Sequence, residues 1–313
     1  MKRNLKEYLI IALKGMGMGA ADVVPGVSGG TIAFITGIYE ELINSIKSVN
    51  GKSLKLLLKF KIKDFWNAVN GTFLLSLVIG IGISVLSLAK LLKHLLENYP
   101  VLIWSFFFGL IVASAIFVGK NITNWRIAKV TALIIGVIVA YFITIISPVE
   151  ANTTYWFIFL SGAIAICAMI LPGISGSFIL VLLGMYKFIL EAVSGFKLAV
   201  IAVFLGGAVV GIITFSNVLS WLLKKYYDVT IALLAGFMIG SLNKVWPWKE
   251  VVETFSNRHG EIKPLVEENI LPGTYELVTG NDSMLIWSVL LAAAGFLVIF
   301  MFEKFSNSTG KNK

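Results

Sequence analysis

Residues 25–39 read PGVSGGTIAFITGIY and residues 172–186 read PGISGSFILVLLGMY, and this pair constrains the chain more than any other feature. At an offset of 147, Pro25, Gly26, Ser28, Gly29, Gly37 and Tyr39 fall on Pro172, Gly173, Ser175, Gly176, Gly184 and Tyr186. With Ile32 on Ile179 these make seven identities in fifteen positions, four of them in the first five, and mark a duplicated unit. Both copies lie within apolar sequence, so each must reconcile a broken backbone with an apolar environment. Proline cannot donate a backbone hydrogen bond and disfavours helix at the residue before it, here Val24 and Leu171. The following glycine opens backbone angles closed to other residues. Ser28 and Ser175 then stand where an N-cap belongs, ahead of the apolar runs 29–46 and 176–193. The expected local structure is helix, short extended break, helix.

The surroundings of the two motifs make the solvent a bilayer. The chain has 313 residues, of which 58% are apolar and only 14% charged, and its mean hydropathy is +0.88. Soluble domains run nearer about 45–50% apolar and about 25% charged. The apolar residues are gathered in blocks of roughly 18–22, the length that crosses a hydrocarbon core of about 30 Å. The expected fold is therefore an all-α polytopic membrane protein made of two repeats. The first, 1–150, holds a broken hairpin over 5–46 and spans over 72–92, 100–118 and 129–147. The second, 151–313, holds a hairpin over 154–193, spans over 197–222, 229–243 and 284–302, and a long polar loop over 244–283. Each half crosses three times if its hairpin is re-entrant and five times if both arms span. Either number is odd, which inverts the second half relative to the first, as in many transporters.

The net charge of +9 is placed as a topology signal rather than as a nucleic-acid surface. With the N-terminus in the cytoplasm, eighteen of the 26 Lys and Arg fall on the cytoplasmic side, in groups near residues 2–14, 47–63, 120–129, 224–225 and 304–313. The positive-inside rule then puts both termini in the cytoplasm. The first residues have the outline of a signal peptide, but Lys14 interrupts the apolar stretch and the first motif follows at once. The segment is read as part of the mature protein.

A broken helix in hydrocarbon must be buried in protein or line a wet cavity. A helix N-terminus offers free N–H groups and a partial positive charge, which suits an anion. The candidate substrate-binding residues are accordingly Gly26, Ser28, Gly29, Gly30 and Thr31 in the first copy, and Gly173, Ser175, Gly176 and Ser177 in the second. Asp22, three residues before Pro25, is an intramembrane acid, and such residues are costly and usually functional. It is the candidate site for a coupling proton or sodium ion, with Glu40 as a second candidate. Position 169 is Met, so the acid is not duplicated. Lys14 either pairs with Asp22 or snorkels to the interface, and snorkelling is preferred.

Enzymatic chemistry has little to work with. His94 and His259 fall in expected external loops, and Arg3, Arg126 and Arg258 lie outside the membrane, so no catalytic or metal-binding constellation forms. No phosphate-cradling Walker loop is present. No cofactor is expected. Cys167, the single cysteine, reads as a small buried hydrophobe. Gly-x-x-x-Gly spacings at 207/211 and 236/240 read as close helix packing, and Trp246-Pro247-Trp248 as an interfacial aromatic belt.

The segments GMGMGAADVVPGVSGGTIAFITGIYEEL and AMILPGISGSFILVLLGMYKFIL resemble the bacterial polyprenyl-phosphate translocase family. The likeness extends over essentially the whole chain. It implies a protein of the bacterial inner membrane that returns undecaprenyl phosphate, the lipid carrier of cell-wall building blocks, from the outer to the inner leaflet. The lipid is then the partner, no nucleic acid is involved, and a homo-oligomer is compatible with the reading. Two other readings stand beside it: an ion-coupled carrier of a small soluble anion, and an intramembrane enzyme resembling undecaprenyl pyrophosphate phosphatases. The second lacks the carboxylate, His or Arg residues expected near the breaks.

Overall fold

The computed structural model describes residues 3–23, 27–146, 148–149, 151–256 and 262–310. Within these the first half carries α1 (Leu5–Val23), α2 (Gly29–Ile35), α3 (Tyr39–Ser48), α4 (Gly51–Leu58), α5 (Ile62–Ala68), α6 (Gly71–Asn98), α7 (Pro100–Lys120) and α8 (Ile127–Ile145). The second carries α9 (Tyr155–Ile170), α10 (Gly176–Leu182), α11 (Tyr186–Ser194), α12 (Leu198–Lys225), α13 (Tyr227–Ser241), β1 (Lys249–Ser256), β2 (Ile262–Asn269), α14 (Pro272–Thr279) and α15 (Leu285–Gly310). Among the described residues α6, α7, α8 and α12 are long and apolar enough to cross a bilayer, and the bent pair α10–α11 would make a fifth span. The chain is thus a mostly helical, polytopic membrane protein. Apolar helices α9, α13 and α15 are shorter. At about 1.5 Å per residue, the fifteen residues of α13 reach roughly 22 Å.

Three expectations need correction. The loop 244–283 is structured: β1 and β2 pair antiparallel, from Lys249 opposite Asn269 to Ser256 opposite Ile262, and α14 follows. The fold is therefore not purely helical. His94 lies within α6, which runs on to Asn98, and not in a loop; His259 lies outside the described residues. The runs 29–46 and 176–193, read as single helical arms, are each cut in two. Gly37 and Gly184 take positive φ of 72° and 65° and stop α2 and α10 after seven residues. In each case the glycine and its successor donate back across the last turn, Ile38 N–H to the Ala33 carbonyl and Met185 N–H to that of Leu180. This is the glycine-ended C-cap in which a left-handed residue satisfies two orphan carbonyls. The second arm turns by 110° there, so its helices do not run straight across the membrane.

Glycine seams set the packing of the long helices. A methyl group on Gly80 of α6 would collide with the Ala12 carbonyl of α1, and one on Gly207 of α12 with the Phe159 carbonyl of α9. Gly15 likewise lies on Leu77, and Gly162 on Phe204. Gly136 of α8 and Gly236 of α13 face each other, as Gly109 of α7 faces Ala292 of α15. The set maps onto itself when the halves are exchanged: α1 on α6 becomes α9 on α12, and α8 on α13 becomes α15 on α7. Small residues at such seams allow the backbones to approach, the main source of helix association where water supplies no drive. The spacings 207/211 and 236/240 do this work, since Gly211 lies on Ala163 and Gly240 on Val137 and Ala140.

Polar contacts lock the ends of the bundle. Arg3 grips Glu41 in a two-pronged pair at 2.5 and 2.7 Å, and Asn70 adds a bond of 2.8 Å to the same carboxylate, joining α1, α3 and α6. Lys129 and Thr123 both reach Asp228. The basic stretch after α3 folds into α4, whose N-cap Asn50 forms a reciprocal capping box with Ser53, and α5.

The seams predict sharp position dependence. Gly80→Val forces α1 and α6 apart and should cost about 1–3 kcal/mol, the usual range for overpacking. Gly82→Ala, two residues on and facing open space, should be neutral or slightly stabilising. Thermal unfolding in detergent separates the two; equal melting temperatures would refute the seam.

Candidate functional site

The first break ends in a helix whose N-terminus is already occupied. Ser28 is the N-cap of α2, with extended backbone angles, and its hydroxyl accepts from Gly30 N–H at 3.1 Å. Thr31 N–H bonds the Ser28 carbonyl at 3.0 Å. Gly29 N–H donates to the Asp22 carboxylate at 2.7 Å. Glycine is needed there, because a Cβ at position 29 would lie 2.5 Å from an Asp22 oxygen. The sequence leaves these amides open to an anion; in the structure a side-chain carboxylate sits where that anion was expected. Pro25 and Gly26 lie outside the described residues.

The other end of α2 is held by a cation. Lys14 donates to the carbonyl of Thr36, the C-cap residue, at 2.6 Å. The ammonium therefore does not pair with Asp22, the less favoured of the two sequence readings. Two side chains of α1 bracket a seven-residue helix, the anion at its positive end and the cation at its negative end. A macrodipole favours that arrangement, and the apolar surroundings strengthen it.

The two breaks lie against each other. The Ser28 hydroxyl is 3.1 Å from the Met169 carbonyl and 3.0 Å from that of Leu171. The Tyr39 hydroxyl donates to the Ile170 carbonyl at 3.2 Å. Gly173 N–H donates to the Thr31 hydroxyl at 3.0 Å. Gly30 is pressed onto the Ile170 carbonyl, leaving no room for a side chain. Side chains of the first motif thus satisfy the carbonyls and one N–H of the second, and Ser28 and Thr31 are fully buried in doing so. Gly173, at φ 84°, also lies on the backbone of Phe237 and Met238 in α13.

The service is not returned. Ser175 makes no capping bond, and its hydroxyl pairs with that of Ser177 at 2.8 Å. Among the described residues, the first N–H groups of α10, at Gly176, Ser177 and Phe178, have no acceptor. The positions matching Lys14 and Asp22 are Ser161 and Met169, so no ionic bracket spans α10. Of the candidate residues, Ser28, Gly29, Gly30, Thr31, Gly173, Ser175, Gly176, Ser177 and Asp22 are brought together around the two touching breaks. Glu40 is not: it is exposed at the start of α3 and faces the Tyr227 hydroxyl. Tyr39 and Lys14, which the sequence reading did not place at the site, belong to it. The shared Tyr39/Tyr186 identity was the available signal for the tyrosine. No group of three or more His, Cys, Asp or Glu suited to a metal occurs among the described residues.

Comparison with known proteins agrees with this membrane architecture. Residues 18–263 match the VCA0040-like family, described as undecaprenyl phosphate translocase-like. A polyprenyl-phosphate transporter of Vibrio cholerae is 47% identical over 306 residues, covering 98% of this chain and 99% of its own. A polyprenyl-phosphate transporter of Staphylococcus aureus is 34% identical over 254 residues, covering 75% and 85%. Both are named as transporters and not as enzymes. No solved structure matches. The chain belongs to the undecaprenyl phosphate translocase-like family.

Proposed function

We propose that this protein carries undecaprenyl phosphate from the outer to the inner leaflet of the bacterial inner membrane, returning the carrier lipid for envelope synthesis. The names of both relatives support a polyprenyl-phosphate cargo. The observation that carries the site is the inequality of the two breaks. The N-terminus of α2 is closed by Asp22 and Ser28, whereas that of α10 offers three N–H groups without an acceptor among the described residues and two hydroxyls bonded to each other. The phosphate is held at this second break, between Gly173, Ser175, Gly176 and Ser177, while the isoprenoid tail stays in lipid. The first break is its support and its switch. Protonation of Asp22 loosens the carboxylate from α2 and frees a second anion-binding end, so that Gly29, Gly30, Ser28 and Thr31 take over the phosphate. A carrier without a buried arginine binds a phosphate firmly enough to move it and weakly enough to release it.

Two opposed sites require inverted repeats, and helix directions favour them. Lys129 at the start of α8 meets Asp228 at the start of α13, and Thr144 near the end of α8 bonds Asn243 just past α13. These two helices therefore run parallel. Thr123, just past α7, also meets Asp228, while Phe108 within α7 packs on Trp246 beyond α13, so α7 runs the other way. The third span of the first half thus runs with the second span of the second half. Copies in the same orientation would oppose them. Both termini then lie on one side, and the lysine distribution favours the cytoplasmic one.

Reconstitution into vesicles carrying labelled undecaprenyl phosphate, with the loss of label from one leaflet followed in time, tests the reading. Asp22→Asn keeps an acceptor for Gly29 N–H, so the fold should survive. Transport should fall at least tenfold and lose its response to an imposed proton gradient. A variant as fast and as gradient-sensitive as the parent would remove Asp22 from the mechanism. Ser175→Ala with Ser177→Ala removes hydroxyls that, among the described residues, bond only each other. Melting should stay near that of the parent while transport drops about tenfold, the equivalent of roughly 1.4 kcal/mol. Thr31→Val, by contrast, strands the buried Gly173 N–H and should destabilise by about 1–3 kcal/mol.

A further inference from the structure

A pair of lysines beneath the β-hairpin is unexplained by the two breaks. Lys249, the first residue of β1, is 7% exposed at its side chain, and Lys244, in the turn after α13, is 23% exposed. Both ammonium groups approach a single carboxylate oxygen of Glu267 on β2, at 3.5 and 3.4 Å. These distances exceed the 2.7–3.2 Å usual for a good N–H···O bond. Otherwise Lys249 has the Lys244 carbonyl at 2.7 Å and the face of Trp104 at 4.3 Å, and Lys244 has the face of Phe178 at 4.8 Å. Removing two ammonium groups from water costs several kcal/mol each unless they are fully paired. Among the described residues two cations here share one loosely held anion, an excess of one positive charge in an aromatic-walled recess.

The recess adjoins the open break. Phe178, under Lys244, belongs to the first turn of α10, whose amides lack acceptors among the described residues. Leu242, Asn243 and Trp246, which flank Lys244 in sequence, line an apolar groove of about 390 Å³ together with Phe108, Val137, Tyr141 and Ile239. A headgroup with three oxygens and a charge near −1.5 to −2 would pair both lysines more fully than one carboxylate oxygen does. The neighbouring groove suits the first isoprene units of its tail.

We propose that Lys244 and Lys249 form a receiving site for the phosphate monoester of a polyprenyl lipid, with Glu267 as the internal anion that the headgroup displaces. The proposal rests on the transport reading and deepens it, adding a station before the break. In the unloaded protein Glu267 keeps the lysines from standing unpaired; on loading, the phosphate replaces it beside Phe178 in the first turn of α10. Burial lowers the Lys249 pKa to about 8, with Lys244 adding to the effect and Glu267 opposing it. Facing groups are Lys244 from the α13–β1 turn, Glu267 from β2, Trp104 from α7 and Phe178 from α10, so Lys249 is the group that titrates near neutrality. The site should weaken as the pH rises through about 8.

Calorimetric titration of the purified full chain in detergent, with geranylgeranyl phosphate, geranylgeraniol and inorganic phosphate as probes, tests the assignment. The expected result is tight binding of the phosphorylated lipid alone. Its affinity should be at least tenfold lower in Lys244→Gln with Lys249→Gln, and several-fold higher in Glu267→Gln, where the competing charge is gone. Lys249→Arg should retain binding and flatten its decline above pH 8. A lysine pair that merely braces the hairpin predicts the opposite for Glu267→Gln, no gain in affinity and a lower melting temperature, and that result overturns the proposal. So does unchanged binding in the double lysine variant with a parent-like melting profile. Binding of inorganic phosphate with no preference for the lipid overturns the headgroup assignment. In vesicles, a parent that transports and a double lysine variant that matches it remove this station alone. A parent that binds in this pattern yet moves no lipid leaves the station standing and removes the transport reading.

Discussion

Hydrocarbon offers no hydrogen-bond partner to a broken backbone, and the two breaks meet this constraint largely by bonding to each other. The carbonyls of residues 169–171 are taken by Ser28 and Tyr39, and Gly173 N–H by Thr31. Each of these contacts requires close approach, which is why glycine stands at position 30 against the Ile170 carbonyl and at 173 against α13. An unsatisfied group in such a place costs several kcal/mol, so the halves cannot be pulled apart without exposing the breaks. The placement of α9 and α13 around the first hairpin follows from this requirement.

Around that contact the long helices are arranged by small residues. Gly80 on α1 and Gly207 on α9 do the same job in the two halves, and so do Gly136 and Gly236 on the facing helices of the second set. Large aliphatic side chains then point outward: Leu86 is 83% and Ile127 87% exposed, as suits a surface solvated by lipid. The polar pairs Arg3–Glu41 and Lys129–Asp228 sit at helix ends, where a mismatch with the bilayer is least costly.

The duplication is close in shape and unequal in chemistry. Lys14 and Asp22 bracket α2 and have no counterparts around α10. An internal carboxylate at one helix end and amides without an acceptor among the described residues at the other make the two breaks unequal. The hairpin after α13 adds lysines on the side of the open end alone, through Phe178 and Trp104.

The sequence by itself determined the class, the duplication and the location of the breaks. These are local or periodic properties: apolar blocks of spanning length, a fifteen-residue repeat, and the inability of proline to continue a helix. It also indicated the residues that gather at the site, because Pro-Gly-x-Ser-Gly and Asp22 are anomalous wherever they lie in an apolar chain. Only the tertiary structure decided what those residues bind. Whether the N–H groups of α2 are free depends on the path of α1, which carries Asp22 and Lys14 to opposite ends of the same short helix. The second cut in each arm was written in Gly37 and Gly184, yet a glycine within an apolar run reads equally as helix packing until its φ is known. The hairpin over 249–269 was hidden because charged residues interrupt its strand pattern. Lys249 and the neighbouring Lys244 gain meaning only from the aromatic rings of α7 and α10, 145 and 66 residues away in sequence, and contacts at that separation leave no trace in the spacing of a single chain.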